Sequence, residues 1–245
     1  PPPPASVEPR MAPAPEGRAG FIRIDSVHQG DLDGVKGLYH INAVDCVTQW
    51  QVVASVQAIS EAHLLSVIEQ MLAQFPFEIL GFHADNGSEY VNHKVARLLD
   101  KLRIEFTRSR PRHSNDNGLA EAKNGAVVRK EFGYEHIHRR HAARFDTYCR
   151  EYLNPFLNFH RPCLFATELA DPNKPGRIKR VYRPRDAMTP LDKLASLPGA
   201  ASFLRLGVTL LELQQLARAL TDVQAAEELN EARRALFSRA ATRTG

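Results

Sequence analysis

The chain has 245 residues, a net charge of +4 and an isoelectric point near 9.1, which permits a polyanionic partner without identifying one. No stretch reaches the roughly 18 consecutive apolar residues that would span a bilayer, and no secretory signal precedes the first strand, so we expect a soluble, intracellular protein with no membrane partner. The three cysteines, Cys46, Cys149 and Cys163, have no CxxC spacing, which indicates neither a disulfide framework nor a zinc site.

Residues 1–18 differ in composition from the rest of the chain. They contain seven prolines and almost no large apolar side chains, a composition typical of an extended linker. Because the chain starts with this linker and lacks an initiator methionine, we expect that an upstream part of a longer protein precedes it. The fold is expected to begin at residue 19.

An antiparallel meander of three strands is predicted next. Phe21–Ser26, Leu38–Asp45 and Trp50–Val56 are rich in β-branched and aromatic residues, with Gly/Asp or Thr/Gln connections between them. Ser60 can then cap a helix whose apolar residues repeat with helical spacing, and Pro76 ends it.

A parallel half follows the meander. Phe77–Ala84 predicts a fourth strand, and the preceding crossover helix allows it to lie parallel in the same sheet. Residues 91–102 predict a second helix, Ile104–Thr107 a short fifth strand, and Gly118 begins a third helix. The order β-β-β-α-β-α-β-α predicts an α/β fold with a mixed five-stranded sheet.

The junction between the fifth strand and the third helix is basic and polar. Residues 108–117 combine turn residues with Arg110 and further basic groups, so they predict an exposed loop. Successive offsets of four, three and four place an amide, a carboxylate, a second amide and a valine on one side of the third helix, namely Asn117, Glu121, Asn124 and Val128.

Three carboxylates stand at the ends of predicted elements. Asp25 and Asp85 each end an apolar strand-like run, and Glu121 follows Asp85 with 35 residues between them. Phosphodiester chemistry with two Mg²⁺ ions needs several carboxylates at one point, and neighbouring strands with a crossing helix can supply them. The three therefore predict a two-metal site. Asp45 also ends a strand and is the most credible substitute for Asp25.

The local sequence around these acids resembles a known family. HADNGSEYVN (residues 83–92), TRSRPRHSNDNGLAEAKNGAVVR (residues 107–129) and IDSVH (residues 24–28) resemble the catalytic core of DDE recombinases, which include bacterial insertion-sequence transposases and retroviral-type integrases. The resemblance covers roughly residues 21–134. It implies a ribonuclease-H-like fold, which agrees with the strand order that the sequence pattern predicts.

The resemblance also implies a mechanism and a set of partners. Asp25, Asp85 and Glu121 would be the catalytic and metal-binding triad for Mg²⁺, with Mn²⁺ as a substitute. Metal-activated water would nick the end of a DNA element, and the freed 3′-hydroxyl would attack target DNA. The protein is expected to act as a homo-multimer on DNA, in a bacterial cytoplasm and at the nucleoid when bound. Further side chains are expected to contact DNA, namely Asn86, Arg110, Asn117, Lys123, Asn124, Arg129, Lys179 and Arg180.

The C-terminal part is predicted as two appendages to a core of residues 19–165. Residues 166–200 contain a basic, Pro- and Gly-containing run, which suggests an arm that orders on DNA. Residues 201–245 predict a helical extension with a leucine stripe from about Leu206 to Val223. This stripe suits a multimerisation helix or a helix packed on the core equally well.

Two other functions remain open at this point. A ribonuclease-H-like nuclease that hydrolyses without joining would share the triad. The Lys123-Asn124 pair beside Glu121 is the feature that favours a recombinase over such a nuclease. A catalytically idle, DNA-binding fragment of a transposase would keep salt-sensitive DNA binding without binding metal.

Overall fold

The core of the protein is a mixed sheet of five strands. The computed structural model describes residues 14–84, 97, 99–108, 117–170 and 176–241. The sheet strands are β1 (Phe21–His28), β4 (Tyr39–Asp45), β5 (Gln51–Val56), β6 (Gly81–Ala84) and β7 (Glu105–Arg108), and a small hairpin adds β2 (Asp31–Leu32) and β3 (Val35–Lys36). The strands of the sheet lie in the order β5-β4-β1-β6-β7. Strands β4 and β5 continue the antiparallel pairing from β1, whereas β6 and β7 run parallel to β1.

Helices cover both faces of this sheet. One face packs on α1 (Glu61–Leu72) through a cluster that contains Ile24 and Phe82. The other face packs on two long helical segments through a second cluster that contains Val53 and Phe145. Successive strand residues point to opposite faces of a sheet. Because helices cover both faces here, β5 is buried along its whole length.

The two long helical segments each contain a π-helical stretch. The first consists of α2 (Gly118–Lys123), a π-helix (Asn124–Arg129) and α3 (Lys130–Phe132). The second consists of α4 (Ala142–Tyr148), a π-helix (Cys149–Leu153) and α5 (Asn154–Phe159). Stretches of π-helix are rare and frequently lie at functional sites. We refer to the first segment, residues 118–132, as the acidic-site helix.

The predicted ribonuclease-H-like fold with a mixed five-stranded sheet is confirmed. Two local expectations differ from the structure. Strand β1 continues past Asp25 to His28, because its pairing with β4 runs on to the pair His28–Tyr39. The hairpin of β2 and β3 was missed, although Asp33-Gly34, with positive φ at both residues, is a typical two-residue hairpin turn. The predicted helix over residues 91–102 lies largely outside the described residues.

The predicted basic arm contains a paired ribbon. Strands β8 (Cys163–Ala170) and β9 (Ile178–Met188) form an antiparallel two-stranded sheet, a pairing that the sequence analysis did not predict. Ile178, Val181 and Tyr182 of β9 are residue types that favour strands. Residues 171–175 lie outside the described residues.

The predicted leucine stripe is broken rather than continuous. Helix α6 (Pro190–Ser196), α7 (Leu210–Arg218) and α8 (Asp222–Ala241) follow the ribbon. The Thr221 hydroxyl accepts a hydrogen bond from the Gln224 backbone N–H and so caps the start of α8. This Thr-x-x-Gln capping signal lies within the predicted stripe and interrupts it. Leu213 packs in the first core cluster, and Leu229 and Leu236 pack in the second.

These contacts favour packing on the core over a free multimerisation helix, while Leu206 and Val223 are exposed. Leu191 and Leu194 of α6 also lie in the first cluster, so the region predicted as an arm ends in core-packed residues. In the described part of the chain, no helix combines the length and apolarity that crossing a membrane requires.

Candidate active site

Asp25 lies where the parallel pairing between β1 and β6 ends within the described residues. Its neighbour Ile24 is paired with Ala84, the last described residue of β6, and Asp25 itself is paired with Asn42 on β4. The half-buried carboxylate accepts two hydrogen bonds of 2.8 Å, one at Oδ1 from the Ser26 backbone N–H and one at Oδ2 from Asn124 Nδ2. Asp25 is thus held in a defined orientation on the face of the sheet that carries the acidic-site helix.

Glu121 lies in the first turn of α2, between two asparagines that bond to β1. Asn117 donates from Nδ2 to the Ile24 carbonyl oxygen at 3.2 Å, and Asn124 donates to Asp25. The structure therefore confirms the prediction that Asn117 and Asn124 lie on one side of the helix. Glu121 is exposed, whereas Asn117 is only 1% exposed. Asn117 therefore holds the helix on β1, and its DNA contact stays a prediction.

A buried chain of amides stands behind Asp25. Asn42 donates from Nδ2 to Asn124 Oδ1 at 2.9 Å and to the Ala120 carbonyl oxygen at 3.1 Å. Gln51 in turn donates from Nε2 to Asn42 Oδ1 at 2.8 Å. Sequence reasoning missed Asn42 and Gln51. The available signal was a pair of amides at buried positions of two strands rich in apolar residues.

Asp45, the alternative to Asp25, has a structural role. It is fully buried, and its carboxylate accepts from the backbone N–H groups of Gly20, Val47 and Thr48 and from the Thr48 hydroxyl. Burial raises the pKa of Asp45, while these hydrogen bonds act in the opposite direction. Asp45 pairs with Ile22, three positions from Asp25 along β1, which places it about 10 Å away along the strand. It serves the turn between β4 and β5.

Lys123 and Arg129 are occupied by contacts within the chain. Lys123 donates from Nζ to Cys163 Sγ at 3.0 Å, which ties the acidic-site helix to the start of β8. Arg129 donates to the His28 carbonyl oxygen at 3.0 Å, and its guanidinium lies 4.8 Å from the centroid of the Tyr134 ring. Their DNA contacts stay predictions.

The β8–β9 ribbon contacts this helix at its root and carries basic side chains further along. At its root, Arg161 donates to the Ala126 carbonyl oxygen at 3.0 Å. Lys179 is exposed on β9, and Arg180 forms an exposed ion pair with Glu168 at 3.1 Å. Exposed pairs of this kind contribute little to stability, so Arg180 can exchange its partner at small cost.

Several predicted site residues lie outside the described residues, namely Asp85, Asn86 and Arg110. Among the residues that the structure does describe, no three His, Cys, Asp or Glu side chains cluster closely enough to hold a metal ion. Asp85 is not among these described residues. His83 is a packed strand residue, because it is 1% exposed and its Nδ1 lies 2.8 Å from Thr107 Oγ1.

Two sequence comparisons bear on the family. The family model of the integrase core domain matches residues 20–114, a range that contains Asp25 and Asp85 and ends before Glu121. The uncharacterized protein y4rM of Sinorhizobium fredii is 30% identical over 116 residues, which are 47% of this chain and 33% of that protein. The chain thus spans about a third of the length of this relative.

Solved integrase structures show a distant similarity. The catalytic core domain of BIV integrase is 17% identical with a TM-score of 0.37, covering 46% of this chain and 68% of that one. The dimeric HTLV-2 integrase catalytic core in complex with magnesium is 14% identical with a TM-score of 0.42, covering 59% of this chain and 90% of that one. A simian T-cell lymphotropic virus intasome in complex with a PP2A regulatory subunit is 18% identical with a TM-score of 0.39, covering 54% and 46%.

The sequence match and the strand order of the sheet concern the same part of the chain. Three antiparallel strands followed by two parallel ones, with helices on both faces, form a ribonuclease-H-like sheet, and its strands fall within the matched range 20–114. This part of the chain is similar to an integrase core domain.

Proposed function

We propose that this chain catalyses Mg²⁺-dependent cleavage and joining of DNA, as a DDE transposase or integrase, through Asp25, Asp85 and Glu121. The observation that carries the proposal is the attachment of the acidic-site helix to β1. Asn117 and Asn124 bond to β1 at Ile24 and Asp25, and Glu121 lies between them in the helix. This attachment supports a shared site for Asp25 and Glu121.

The parallel register supports the inclusion of Asp85. Ile24 and Ala84 are partners across β1 and β6, and each is followed in the sequence by an aspartate. Both aspartates also fall within the part of the chain that matches the integrase core domain. A third carboxylate from this position would complete an all-oxygen donor set.

The residues present fit a Mg²⁺ site. Both carboxylate oxygens of Asp25 are held by hydrogen bonds from within the chain, and Glu121 is exposed. Carboxylate oxygens are the ligands that Mg²⁺ prefers, with Mn²⁺ as a substitute, and Asp25, Asp85 and Glu121 would hold it. When bound, Mg²⁺ stabilises charge on the phosphate oxygens and lowers the pKa of bound water.

The chain itself contributes orientation and access. Asn124 holds one carboxylate oxygen of Asp25, so this acid need not reorient when substrate arrives. Glu121 and its neighbour Ala122 are exposed, so the helix start offers an open surface to a duplex rather than a closed pocket. These features suit a large polymeric substrate.

We propose DNA as the partner and the β8–β9 ribbon as part of its binding surface. Lys179, Arg183 and Arg185 lie on one strand of this ribbon and are exposed or half-buried. The root of the ribbon is bonded to the acidic-site helix, and we propose that DNA held at the site extends along the ribbon to these cations. Contacts of Lys and Arg to phosphates supply affinity without sequence preference.

Several further properties are part of the same proposal. We propose residues 19–165 as the catalytic core, with the ribbon region and the C-terminal helices as appendages. Joining of DNA ends requires that two ends be held together, so we propose that several copies assemble on DNA. The cellular place of action would be wherever that DNA lies, in a bacterial nucleoid for an insertion-sequence element.

A joining assay tests the catalytic proposal. The purified chain is incubated with a labelled 3′-hydroxyl oligonucleotide, taken from inverted repeats that flank the gene, and with a supercoiled plasmid in Mg²⁺. We expect joined product from the wild type, and a loss of at least 100-fold in Asp25→Asn, Asp85→Asn and Glu121→Gln. Glu105→Gln is the matched control, because Glu105 is an exposed acid on β7 that lies away from the proposed triad.

The products separate the competing functions. Plasmid cleavage without joined product would indicate a hydrolytic nuclease. Salt-sensitive DNA binding with neither cleavage nor Mg²⁺ binding would indicate a catalytically idle fragment. Near-wild-type joining by any of the three acid variants would refute the triad.

A further inference from the structure

A buried relay of three side-chain amides ends at Asp25. Gln51 donates to Asn42, Asn42 donates to Asn124, and Asn124 donates to the Asp25 carboxylate, at 2.8, 2.9 and 2.8 Å respectively. Asn42 is 0% exposed and Gln51 is 2% exposed. Buried amides of this kind are costly unless they are hydrogen-bonded, so the relay calls for a physical explanation.

The direction of the relay follows from its two acceptors. Asn42 Nδ2 also donates to the Ala120 carbonyl, which can only accept, so the Asn42 oxygen has to face Gln51. The Asp25 carboxylate likewise accepts only, so Asn124 presents its nitrogen to Asp25 and its oxygen to Asn42. Every amide therefore has one orientation that satisfies all partners.

Asn42 connects the acidic-site helix to the strand next to Asp25. It is the register partner of Asp25 across β1 and β4. Its amide donates to the carbonyl of Ala120, the residue directly before Glu121, and to Asn124, which holds Asp25. One buried side chain thus ties the helical turn with the third acid to β4, at the position that pairs with the first acid.

The far end of the relay is anchored on the second helical segment. Asn158 of α5 accepts from the Gln51 backbone N–H at 2.8 Å and donates to the Gln51 carbonyl at 2.7 Å. Gln51 is therefore held from its main chain, and its side chain is directed at Asn42. The relay is a connected polar network rather than a single accidental contact.

We infer that Asn42 is a positioning residue, which sets the separation of Asp25 and Glu121 for divalent-metal binding through Asn124 and the Ala120 carbonyl. The inference rests on the proposed function for its metal and adds the residue that prearranges the site. Partners that hold metal-binding side chains typically contribute 10- to 100-fold to metal affinity or activity. Asn42 touches neither substrate nor metal in this role.

Mn²⁺ binding by the full chain, measured from the paramagnetic resonance of free Mn²⁺, tests the inference without DNA or turnover. Asn42→Leu should bind Mn²⁺ about 10- to 100-fold more weakly than the wild type. Asn124→Ala should show the same loss, and its half-buried position tolerates substitution if Asn42→Leu does not fold. Asn154→Leu is the matched control and should keep wild-type Mn²⁺ affinity.

Asn154 suits this comparison because it is equally a buried amide on the same side of the sheet. It is 4% exposed, accepts from the Val53 N–H and donates to the Val53 carbonyl, and has no hydrogen bond to the relay among the described residues. Wild-type Mn²⁺ affinity in folded Asn42→Leu or Asn124→Ala would overturn the inference. An equal loss in Asn154→Leu would also overturn it.

A second readout separates this inference from the proposed function. The side-chain amide resonance of Asn124 should shift in Asn42→Leu and stay unchanged in Asn154→Leu, whether or not metal binds. A wild-type chain that binds no Mn²⁺ would refute the proposed metal site and with it the metal role of Asn42. An unchanged Asn124 resonance in Asn42→Leu would refute the relay itself.

Discussion

His40 makes the stability of this fold sensitive to mild acid. It lies on β4, fully buried, with Nδ1 2.9 Å from Ser55 Oγ and its ring stacked on Phe132 at a centroid distance of 4.0 Å. Burial lowers the pKa of His40 from 6.5 to about 3, and the positive charge of Arg129 acts in the same direction. The folded protein therefore keeps this imidazole neutral at every pH at which it would function.

The magnitude follows from proton linkage. Between pH 6.5 and 3 the unfolded chain binds a proton at His40 that the folded protein does not, so the free energy of unfolding falls as the pH falls. The stabilising contribution is fully present above pH 6.5. At pH 5 the loss from this one group is about 2 kcal/mol, a substantial part of the stability of a typical domain.

Urea unfolding at pH 7.5 and pH 5.0 measures this contribution in the wild type and in His40→Gln. Glutamine cannot titrate and keeps a polar partner for Ser55, although it loses the stacking on Phe132. We expect His40→Gln to be less stable at pH 7.5 but to lose about 2 kcal/mol less than the wild type on going to pH 5.0. Other titrating groups, including Asp45 with its raised pKa, are common to both proteins and cancel.

The pH dependence of the free energy of unfolding, compared between the wild type and His40→Gln, shows whether the folded protein protonates His40. If the wild type and His40→Gln lose the same free energy of unfolding between pH 7.5 and pH 5.0, within about 0.5 kcal/mol, the folded protein protonates His40. The reasoning about its burial would then be wrong.

Three further substitutions test separate parts of the structure. Asp45→Ala removes the acceptor of four hydrogen bonds, so the free energy of unfolding should fall by about 3 kcal/mol. The Mn²⁺ affinity should stay at the wild-type value, and weaker Mn²⁺ binding would show that Asp45 belongs to the metal site. The double variant Lys179→Ala and Arg183→Ala should reduce the salt slope of DNA binding by up to about 2, and an unchanged slope would exclude the ribbon from the interface. Gly37→Ala places a Cβ 2.1 Å from the Gln29 carbonyl oxygen, so a loss of about 3 kcal/mol is expected in thermal or urea unfolding, and wild-type stability would refute this steric argument.

Local pattern was sufficient for most of the sheet and its helices. Strands β4 and β5 are buried almost throughout because both faces of the sheet are covered, and their many β-branched residues predict strands from composition alone. The pairing of β8 with β9 was not predicted, because Pro and Gly residues between the two strands indicated an arm. The interruption at Thr221 was overlooked for a similar reason, since leucine periodicity outweighed a short capping signal.

The sequence by itself determined the mixed five-stranded α/β fold, the residue types of the candidate site and the helix side shared by Asn117 and Asn124. Only the tertiary structure decided that Asp45 serves a turn, that Asn117 is buried against β1, and that Asn42 reaches Asn124 across 82 positions of the chain. The physical reason lies in the range of each signal. Periodicity and capping act over a few residues, whereas a buried amide finds its partner only when distant elements pack and water is excluded.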